Sequence, residues 1–129
     1  GTKEEYDLCQ RVSVGIQNCR TLAGSTNLLE SLRLISTAEL VIANDSAGQH
    51  LAALVGVPTV SIFGPTVTSF GYRPWNTQSI IVENQSLKCR PCGKHGHHVC
   101  PIGTHECMKS ITAEQVLQAA QSLKLRPSI

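Results

Sequence analysis

The sequence predicts an α/β fold in which helices cover both faces of a parallel sheet. Three short runs rich in valine and isoleucine have the length of strands, and they span residues 40–43, 59–63 and 79–83. Polar and apolar residues hardly alternate within them, as expected for strands buried on both faces. Stretches with the spacing of amphipathic helices recur along the chain, and such a mixture of strands and helices favours a parallel sheet.

Two helices and one strand are predicted ahead of these runs. Residues 3–12 carry acids early and an arginine late, which suits a helix whose charges complement its dipole. Residues 19–23 have the character of a short strand that Gly24 ends. Asn27 is placed to cap a second helix, because Glu30 occupies the capping-box position three residues later.

The hinge between the run 40–43 and the next helix carries the strongest functional signal. Asp45 and Ser46 lie where the strand ends, Gly48 would let a ligand approach the backbone, and His50 follows one turn into the helix. The free N–H groups and the dipole of a helix N-terminus favour an anion such as phosphate. The alternative is an ordinary helix cap, since Asp and Ser are common cap residues. Gly56 ends this helix.

The carboxyl ends of the predicted strands gather polar and aromatic residues. In parallel α/β sheets ligands bind at this edge. The segments that follow strands here are 24–26, 44–46 and 64–66. Four of the five aromatic residues also lie at or just after one strand end, where they either close the core beneath a loop or line a site: Phe63, Phe70, Tyr72 and Trp75.

Bulk composition describes one ordinary globular domain spanning residues 1–129. Hydrophobic residues make up 41% of the 129 residues and charged residues 16%, and the formal charge is +2. This charge is too small to indicate nucleic acid as a partner. No apolar run has the length of a membrane-spanning helix and no signal peptide opens the chain, so we expect a cytoplasmic protein.

A cysteine- and histidine-rich loop is predicted within this domain at residues 86–111, before a closing helix that Thr112 and Gln115 begin as a capping box. The ligand types suit a structural zinc site, although only one C-x-x-C pair is present. Two alternatives are a disulfide and reduced thiols that pack the loop. The candidate zinc ligands are Cys89, Cys92, Cys100 and Cys107. Nearby Lys88, Arg90 and Lys94 are either a solvated face or a contact for anionic lipid.

The run from Asn44 to Ala53, followed by G-V-P-T at 56–59 and F-G-P-T at 63–66, resembles the ADP-heptose:lipopolysaccharide heptosyltransferase family, the family-nine glycosyltransferases. The C-x-x-C loop and the segment 111–116 extend the resemblance over almost the whole chain. It implies a Rossmann-like domain, the C-terminal donor-binding half of a two-domain GT-B enzyme.

The resemblance also implies roles for individual residues. Asp45, Ser46, Ala47, Gly48 and His50 would line the donor diphosphate. Glu4, or Glu5 as a weaker match, would lie near the donor ribose. Gly24, Ser25 and Thr26 would border the base, and Gly64, Pro65 and Thr66 would shape the rim. We expect the Asp45 carboxylate to cap the helix or to bind a sugar hydroxyl, because it cannot usefully contact phosphate.

Two departures from the family pattern stand out. Alanine, at position 47, follows Ser46 where the family usually has glycine, and its methyl group limits the approach of a diphosphate. The family's catalytic base is an aspartate of the N-terminal acceptor domain, which this chain lacks. The chain also lacks a basic residue that the family places before the start of this segment. No catalytic residue is therefore expected here, and the family's chemistry requires no cofactor.

The resemblance predicts an inverting transfer of heptose from ADP-heptose to a lipopolysaccharide-core acceptor, with peripheral contact at the inner membrane. The alternatives are a nucleotide-binding module that is inactive alone and a nucleotide-sugar epimerase domain. A hydrolase with Ser46 as nucleophile is disfavoured, since no G-x-S-x-G surrounds it. NAD is disfavoured because no G-x-G-x-x-G is present.

Overall fold

A computed structural model describes residues 1–75 and 78–123. The chain forms two compact units, Gly1–Leu34 and Ile35–Ile129. Each unit is described by itself below, and the interpretation of residues 1–129 as one domain stays a prediction. Within the described residues, no helix is both long and apolar enough to span a membrane.

The first unit is helical. A 3₁₀ turn at Lys3–Glu5 leads into helix α1 at Tyr6–Ser13, which confirms the predicted first helix. Helix α2 spans Leu28–Ser36. Its capping box is present, because the Glu30 N–H donates to Asn27 Oδ1 at 2.9 Å and the Asn27 N–H donates to Glu30 Oε2 at 2.8 Å.

The strand predicted at residues 19–23 is wrong, because this segment has no strand conformation. Its backbone closes a local turn instead, with the Ser25 N–H donating to the Leu22 carbonyl at 3.0 Å. The Gly24 N–H donates to the Gly1 carbonyl at 2.9 Å. A β-ladder needs repeated bonds to a neighbouring strand, and an isolated bond of this kind does not form one.

The second unit contains the predicted parallel sheet. Strands β1 (Val41–Asn44), β2 (Thr59–Phe63) and β3 (Ser79–Glu83) lie side by side in that order. Both pairings are parallel, and their register places Ala43 beside Ser61 and Ile62 beside Val82. The carboxyl ends of β1 and β2 therefore meet at one edge of the sheet.

Helices cover both faces of this sheet, as predicted. Helix α3 (Ala47–Leu54) packs on β1 and β2, and helix α5 (Ala113–Ser122) packs on β2 and β3. Val60 and Val82 form a core cluster with Ala120 of α5. Ala43 faces α3, and its register partner Ser61 lies on the face of β2 opposite Val60, because side chains alternate along a strand. The two helices thus lie on opposite faces.

The loop predicted at 86–111 contains a helix that the sequence reading missed. Helix α4 spans Glu106–Lys109 and follows His105, which has a left-handed backbone conformation. The Thr112–Gln115 capping box that begins α5 is confirmed, with the Thr112 N–H donating to Gln115 Oε1 at 2.8 Å. A further 3₁₀ turn at Thr68–Phe70 follows β2.

Candidate functional site

Two adjoining pockets lie at the carboxyl edge of β1 and β2. They share Asp45, Thr66 and His95, and their volumes are about 260 and 220 Å³. The first pocket, here called the hinge pocket, is also lined by Ser46, Ala47, His50 and Tyr72. The second, here called the rim pocket, is also lined by Asn44, Ile62, Gly64, Pro65 and Met108.

The Asp45 carboxylate ties the two strand ends together. Its Oδ2 accepts a hydrogen bond from Thr66 Oγ1 at 2.5 Å, and its Oδ1 accepts one from Gln49 Nε2 at 2.7 Å. Its backbone N–H donates to the Ile62 carbonyl at 3.0 Å. Side chains of Gln49 and Thr66, and not the helix backbone, therefore occupy the carboxylate, and the expected capping role is not what the structure shows.

Gln49 is the buried polar residue behind this network. Its exposed fraction is 0%. Besides Asp45, its amide nitrogen donates to the Tyr72 carbonyl at 2.9 Å. Both partners are pure acceptors, so the orientation of the amide group is determined by the network. Gln49 thereby connects helix α3 to the segment that carries Tyr72.

The N-terminus of α3 opens into the hinge pocket. Ser46 is the N-cap in an extended conformation, and its side chain makes no capping hydrogen bond. The first N–H groups of a helix have no acceptor within the helix, so they are available to an anion. Ala47 and His50 both line the pocket and are exposed. Gly48 lies outside the lining and faces Ala43 of β1.

The rim pocket depends on the close approach of Met108 to Gly64. A Cβ atom added to Gly64 would meet Met108 Sδ, so the flexible Met108 side chain would have to shift to accommodate it. Pro65 and Thr66 continue the rim, and Thr66 is buried. All three predicted rim residues therefore line the rim pocket, and Thr66 also links it to the hinge pocket.

With this geometry in view, comparison with known proteins identifies the family. The model of glycosyltransferase family 9 (heptosyltransferase) matches residues 1–102. The chain belongs to this family. The prediction made from the motifs around the hinge is thereby confirmed.

Relatives with known names are similar to the chain over part of their length. Lipooligosaccharide heptosyltransferase 2 of Campylobacter jejuni is 32% identical over 120 residues, which cover 93% of this chain and 35% of that protein. Lipopolysaccharide heptosyltransferase 2 of Salmonella typhimurium is 38% identical over 110 residues, which cover 81% and 29%. The chain thus spans about a third of the length of these relatives.

A solved structure supports the fold. The structure of E. coli ADP-heptose lps heptosyltransferase II matches with a TM-score of 0.74 at 22% identity, over 95% of this chain and 34% of that one. At this identity the likeness concerns the fold alone. The predicted Rossmann-like α/β fold, as in one half of a GT-B glycosyltransferase, is confirmed.

Four residues that the family resemblance assigned to the donor lie in the first unit. Gly24 has a left-handed backbone (φ +69°), and Ser25 is exposed beside it. Thr26 Oγ1 lies 2.9 Å from Ser31 Oγ, so this hydroxyl has a partner within the unit. Glu4 is exposed, and a hydrogen bond from Thr2 lowers the pKa of its carboxyl. Their roles toward ribose and base stay predictions.

The four loop cysteines converge on a separate cavity. Cys89, Cys92, Cys100 and Cys107 line one space of about 250 Å³ beside Arg90. All four are free thiols in the structure. Across residues 1–75 and 78–123, no three His, Cys, Asp or Glu side chains are arranged to hold a metal ion. The zinc site stays a prediction, as do its two alternatives, a disulfide and reduced thiols that pack the loop.

Two thiols of this cavity differ in acidity. Backbone N–H groups, foremost that of His105 with its nitrogen 3.5 Å from Cys100 Sγ, lower the pKa of the Cys100 thiol. Burial raises the pKa of the Cys107 thiol, and the neighbouring Cys100 and Cys89 raise it further. A thiolate is therefore favoured at Cys100 over Cys107.

Arg90 has a structural role that the sequence reading missed. Its guanidinium donates to Glu83 Oε2 at 2.7 Å, the Thr66 carbonyl at 2.6 Å and the Asn84 carbonyl at 2.5 Å. The side chains of Arg90 and Glu83 are only 3% and 10% exposed. The interpretation of Arg90 as part of an exposed cationic cluster is therefore wrong, because its charge is paired inside the molecule.

Tyr72 and His95 are pocket residues that the sequence did not single out from their neighbours. Both line the hinge pocket. The cluster of aromatics after a strand end was the available signal for Tyr72, and the histidine content of the loop was the signal for His95. Neither signal separates them from Trp75, which is 77% exposed, or from His97 and His98.

Proposed function

We propose that the chain is the donor-binding part of an inverting glycosyltransferase. In this proposal the whole enzyme transfers heptose from a nucleoside-diphosphate sugar, ADP-heptose, to a lipopolysaccharide-core acceptor. The observation that carries the proposal is the hinge pocket, where the N-terminus of α3 and the exposed His50 meet at the carboxyl edge of the sheet. Membership of the heptosyltransferase family favours sugar transfer over the epimerase alternative.

The hinge pocket suits a leaving diphosphate. In the proposed reaction an acceptor hydroxyl attacks the anomeric carbon, the bond from that carbon to the diphosphate oxygen breaks, and the nucleoside diphosphate leaves with the electron pair. The hydroxyl proton passes to the base expected in the acceptor domain. Negative charge grows on the diphosphate, and N–H groups already aimed at it stabilise that charge without reorganisation.

Hydrogen bonds hold the Asp45 carboxylate in place beside the proposed diphosphate. Thr66 and Gln49 each donate to one of its oxygens. Its carboxylate also lies at the start of α3, where the helix dipole favours negative charge. We assign Asp45 to hold the pocket wall and to accept a bond from a sugar hydroxyl with a remaining lone pair. The rim pocket, which shares Asp45, would then receive the sugar.

The first experiment is a titration of this chain with ADP, UDP, GDP and ADP-heptose, followed by thermal shift. ADP and ADP-heptose are expected to raise the melting temperature more than the other two nucleotides. Because the catalytic base is expected outside this chain, the chain should bind the donor without transferring the sugar. If none of the four ligands binds, the proposed function is wrong, while the fold is unaffected.

His50→Ala tests the phosphate contact directly. The exposed His50 lines the hinge pocket, so its removal should weaken ADP binding in calorimetry by about tenfold, the value of one modest charged hydrogen bond. His98→Ala is the matched control, since His98 is exposed and lines neither pocket. Equal ADP affinity of His50→Ala and the wild type would remove His50 from the site.

The whole enzyme is proposed to work in the cytoplasm in peripheral contact with the inner membrane. A lipopolysaccharide-core acceptor carries a lipid anchor, so the enzyme must meet it at a membrane surface. Lys88 and Lys94 are exposed on the loop and suit anionic headgroups. Co-sedimentation with anionic vesicles should fall for the Lys88→Glu, Lys94→Glu double variant. Unchanged sedimentation would exclude this surface.

A further inference from the structure

His95 belongs to the cysteine-rich loop, yet it reaches the site at the sheet edge. It lines both the hinge pocket and the rim pocket, a property that it shares with Asp45 and Thr66. Unlike those two residues, His95 is exposed, so its ring is accessible to a ligand. The loop therefore places an imidazole at the junction of the two pockets.

Tyr72 holds the His95 ring from one side. Tyr72 Oη lies 3.3 Å from His95 Nδ1, and the ring centroids are 5.7 Å apart with planes tilted by 31°. When the tyrosine hydroxyl donates to Nδ1, the hydrogen of the neutral ring must reside on Nε2. A phosphate oxygen only accepts hydrogen bonds, so an anion beside Nε2 selects this same tautomer.

Both partners are attached to the rest of the site. The Tyr72 carbonyl accepts from buried Gln49 at 2.9 Å, and its ring packs edge-on against Phe70 with centroids 6.2 Å apart. Three residues before His95, the Cys92 N–H donates to the Pro65 carbonyl at 2.8 Å. The position of the imidazole is thus determined by contacts on the strand edge and on the rim.

We propose that His95 is a binding residue for the diphosphate of the donor and that Tyr72 is its positioning residue. This inference rests on the proposed function and adds a donor from the loop to the donors from α3. His95 and His50 come from two different elements and line the same pocket. A bound diphosphate then couples the loop to the sheet edge, because it bonds to both.

The test is calorimetry of this chain with ADP, with inorganic pyrophosphate and with adenosine. A hydrogen bond to a charged group corresponds to roughly a 10- to 100-fold change in affinity. His95→Ala should weaken ADP and pyrophosphate by about that factor and leave adenosine unchanged. His98→Ala, from the same loop, should change none of the three. Thermal melting of each variant verifies that it is folded.

The outcomes separate this inference from the proposed function. If wild type binds ADP and His95→Ala binds it equally, the role of His95 is refuted while the proposed function stands. If wild type binds neither ADP nor pyrophosphate, both fail. Tyr72→Phe supplies the second measurement: long-range ¹H–¹⁵N spectra should show the Nε2–H tautomer of His95 in wild type and a mixture of tautomers in the variant. Identical spectra would refute the positioning role of Tyr72.

Discussion

The two sides of the hinge pocket are built in different ways. The strand-edge side consists of Asp45, Ser46 and Ala47, which follow β1 directly and enter α3. The loop side consists of His95, which lies twelve residues beyond the end of β3 in irregular chain. The first side is positioned by parallel strand register and a helix start. The second is positioned by side-chain and backbone bonds that reach back to the rim.

One side of the pocket is thus positioned by residues that are neighbours in the chain, and the other by contacts between residues that are far apart in it. The turn after β1 follows from the order strand, cap residue, helix, which neighbouring residues determine. The loop has little regular structure apart from the short helix α4. Arg90 attaches the loop to the sheet through hydrogen bonds to the Thr66 and Asn84 carbonyls and to the Glu83 carboxylate. The strand-edge side should therefore tolerate loop changes, whereas the loop side should depend on Arg90.

The largest effect is expected for Arg90→Met. It leaves the Glu83 carboxylate and the Thr66 and Asn84 carbonyls without their donor. Breaking one side of a buried ion pair costs about 3–5 kcal/mol. Urea unfolding should show a loss of that order, and Lys88→Met, at an exposed neighbouring position, should lose little. Similar stability of the two variants would contradict the assignment of Arg90 as the attachment of the loop.

The ion pair between Arg90 and Glu83 also predicts that the stability of the fold depends on pH. Burial alone raises the pKa of Glu83, but hydrogen bonds from Arg90 and Gln85 outweigh it, so the net pKa is below its ordinary value. A carboxyl group whose pKa is lower in the folded state stabilises the protein at pH values above its ordinary pKa. This stabilisation is lost as the pH falls through the lowered pKa. Stability should therefore drop in acid, and Glu83→Gln should flatten that drop. An unchanged acid limb in Glu83→Gln would contradict this account.

A smaller loss is expected for Gln49→Ala, on the strand-edge side. It leaves Asp45 Oδ1 and the Tyr72 carbonyl without a buried donor, a change that costs about 1–3 kcal/mol. Denaturant unfolding measures the cost, and ADP affinity should fall as Asp45 and Tyr72 lose their connection. Gln118→Ala on exposed α5 surface is the control. If Gln49→Ala lowers stability no more than the control, the buried network is not what holds this side together.

A specific effect on binding alone is expected for Ala47→Val. Ala47 lines the hinge pocket as the first residue of α3, and a branched side chain there would obstruct an anion approaching the helix start. ADP affinity should fall by about tenfold, which corresponds to about 1.4 kcal/mol. Ala113→Val, at the first position of α5, reports the intrinsic cost of valine at a helix start. Unimpaired ADP binding by Ala47→Val would place the diphosphate elsewhere.

The smallest expected effect is a difference between the alkylation rates of two cysteines that line the thiol cavity. Because the pKa of Cys100 is lowered and that of Cys107 is raised, iodoacetamide near neutral pH should modify Cys100 before Cys107. Mass spectrometry of digested protein gives the order. Added zinc should slow alkylation of the four loop cysteines together if they share a metal, and X-ray fluorescence at the zinc edge of purified protein tests that directly. Equal rates at Cys100 and Cys107 would contradict the assigned acidities.

Much of the fold follows from short-range patterns. The runs that became β1, β2 and β3 were found from apolar length, and the capping boxes at Asn27 and Thr112 were found from residue spacing. The exception is instructive: residues 19–23 have strand character but form no strand. Strand character alone does not create a strand, since the ladder needs a partner elsewhere in the chain.

The candidate site divides in the same way. Asp45, Ser46, Ala47 and His50 line the hinge pocket, while Gly48 faces Ala43 of β1, and their roles toward the diphosphate stay predictions. Gln49 was passed over because a glutamine in a helix is usually exposed, and only packing shows that it is buried. Arg90 was also expected to be exposed. Its partners Glu83 and Thr66 lie 7 and 24 residues away, so only packing shows that its charge is paired.

The hinge could be predicted from local sequence: an apolar strand, Asp45 and Ser46 at its end, and a helix whose first N–H groups point outward. Neighbouring residues set this geometry, and the order of motifs around it identified the family. The folded chain was needed to show that Gln49 and Thr66 hold Asp45, and that Tyr72 and His95 complete the pocket. Apart from the bond between Asp45 and Gln49, these contacts join residues that are distant in the chain, and the parallel sheet favours them because it brings its strand ends to one edge.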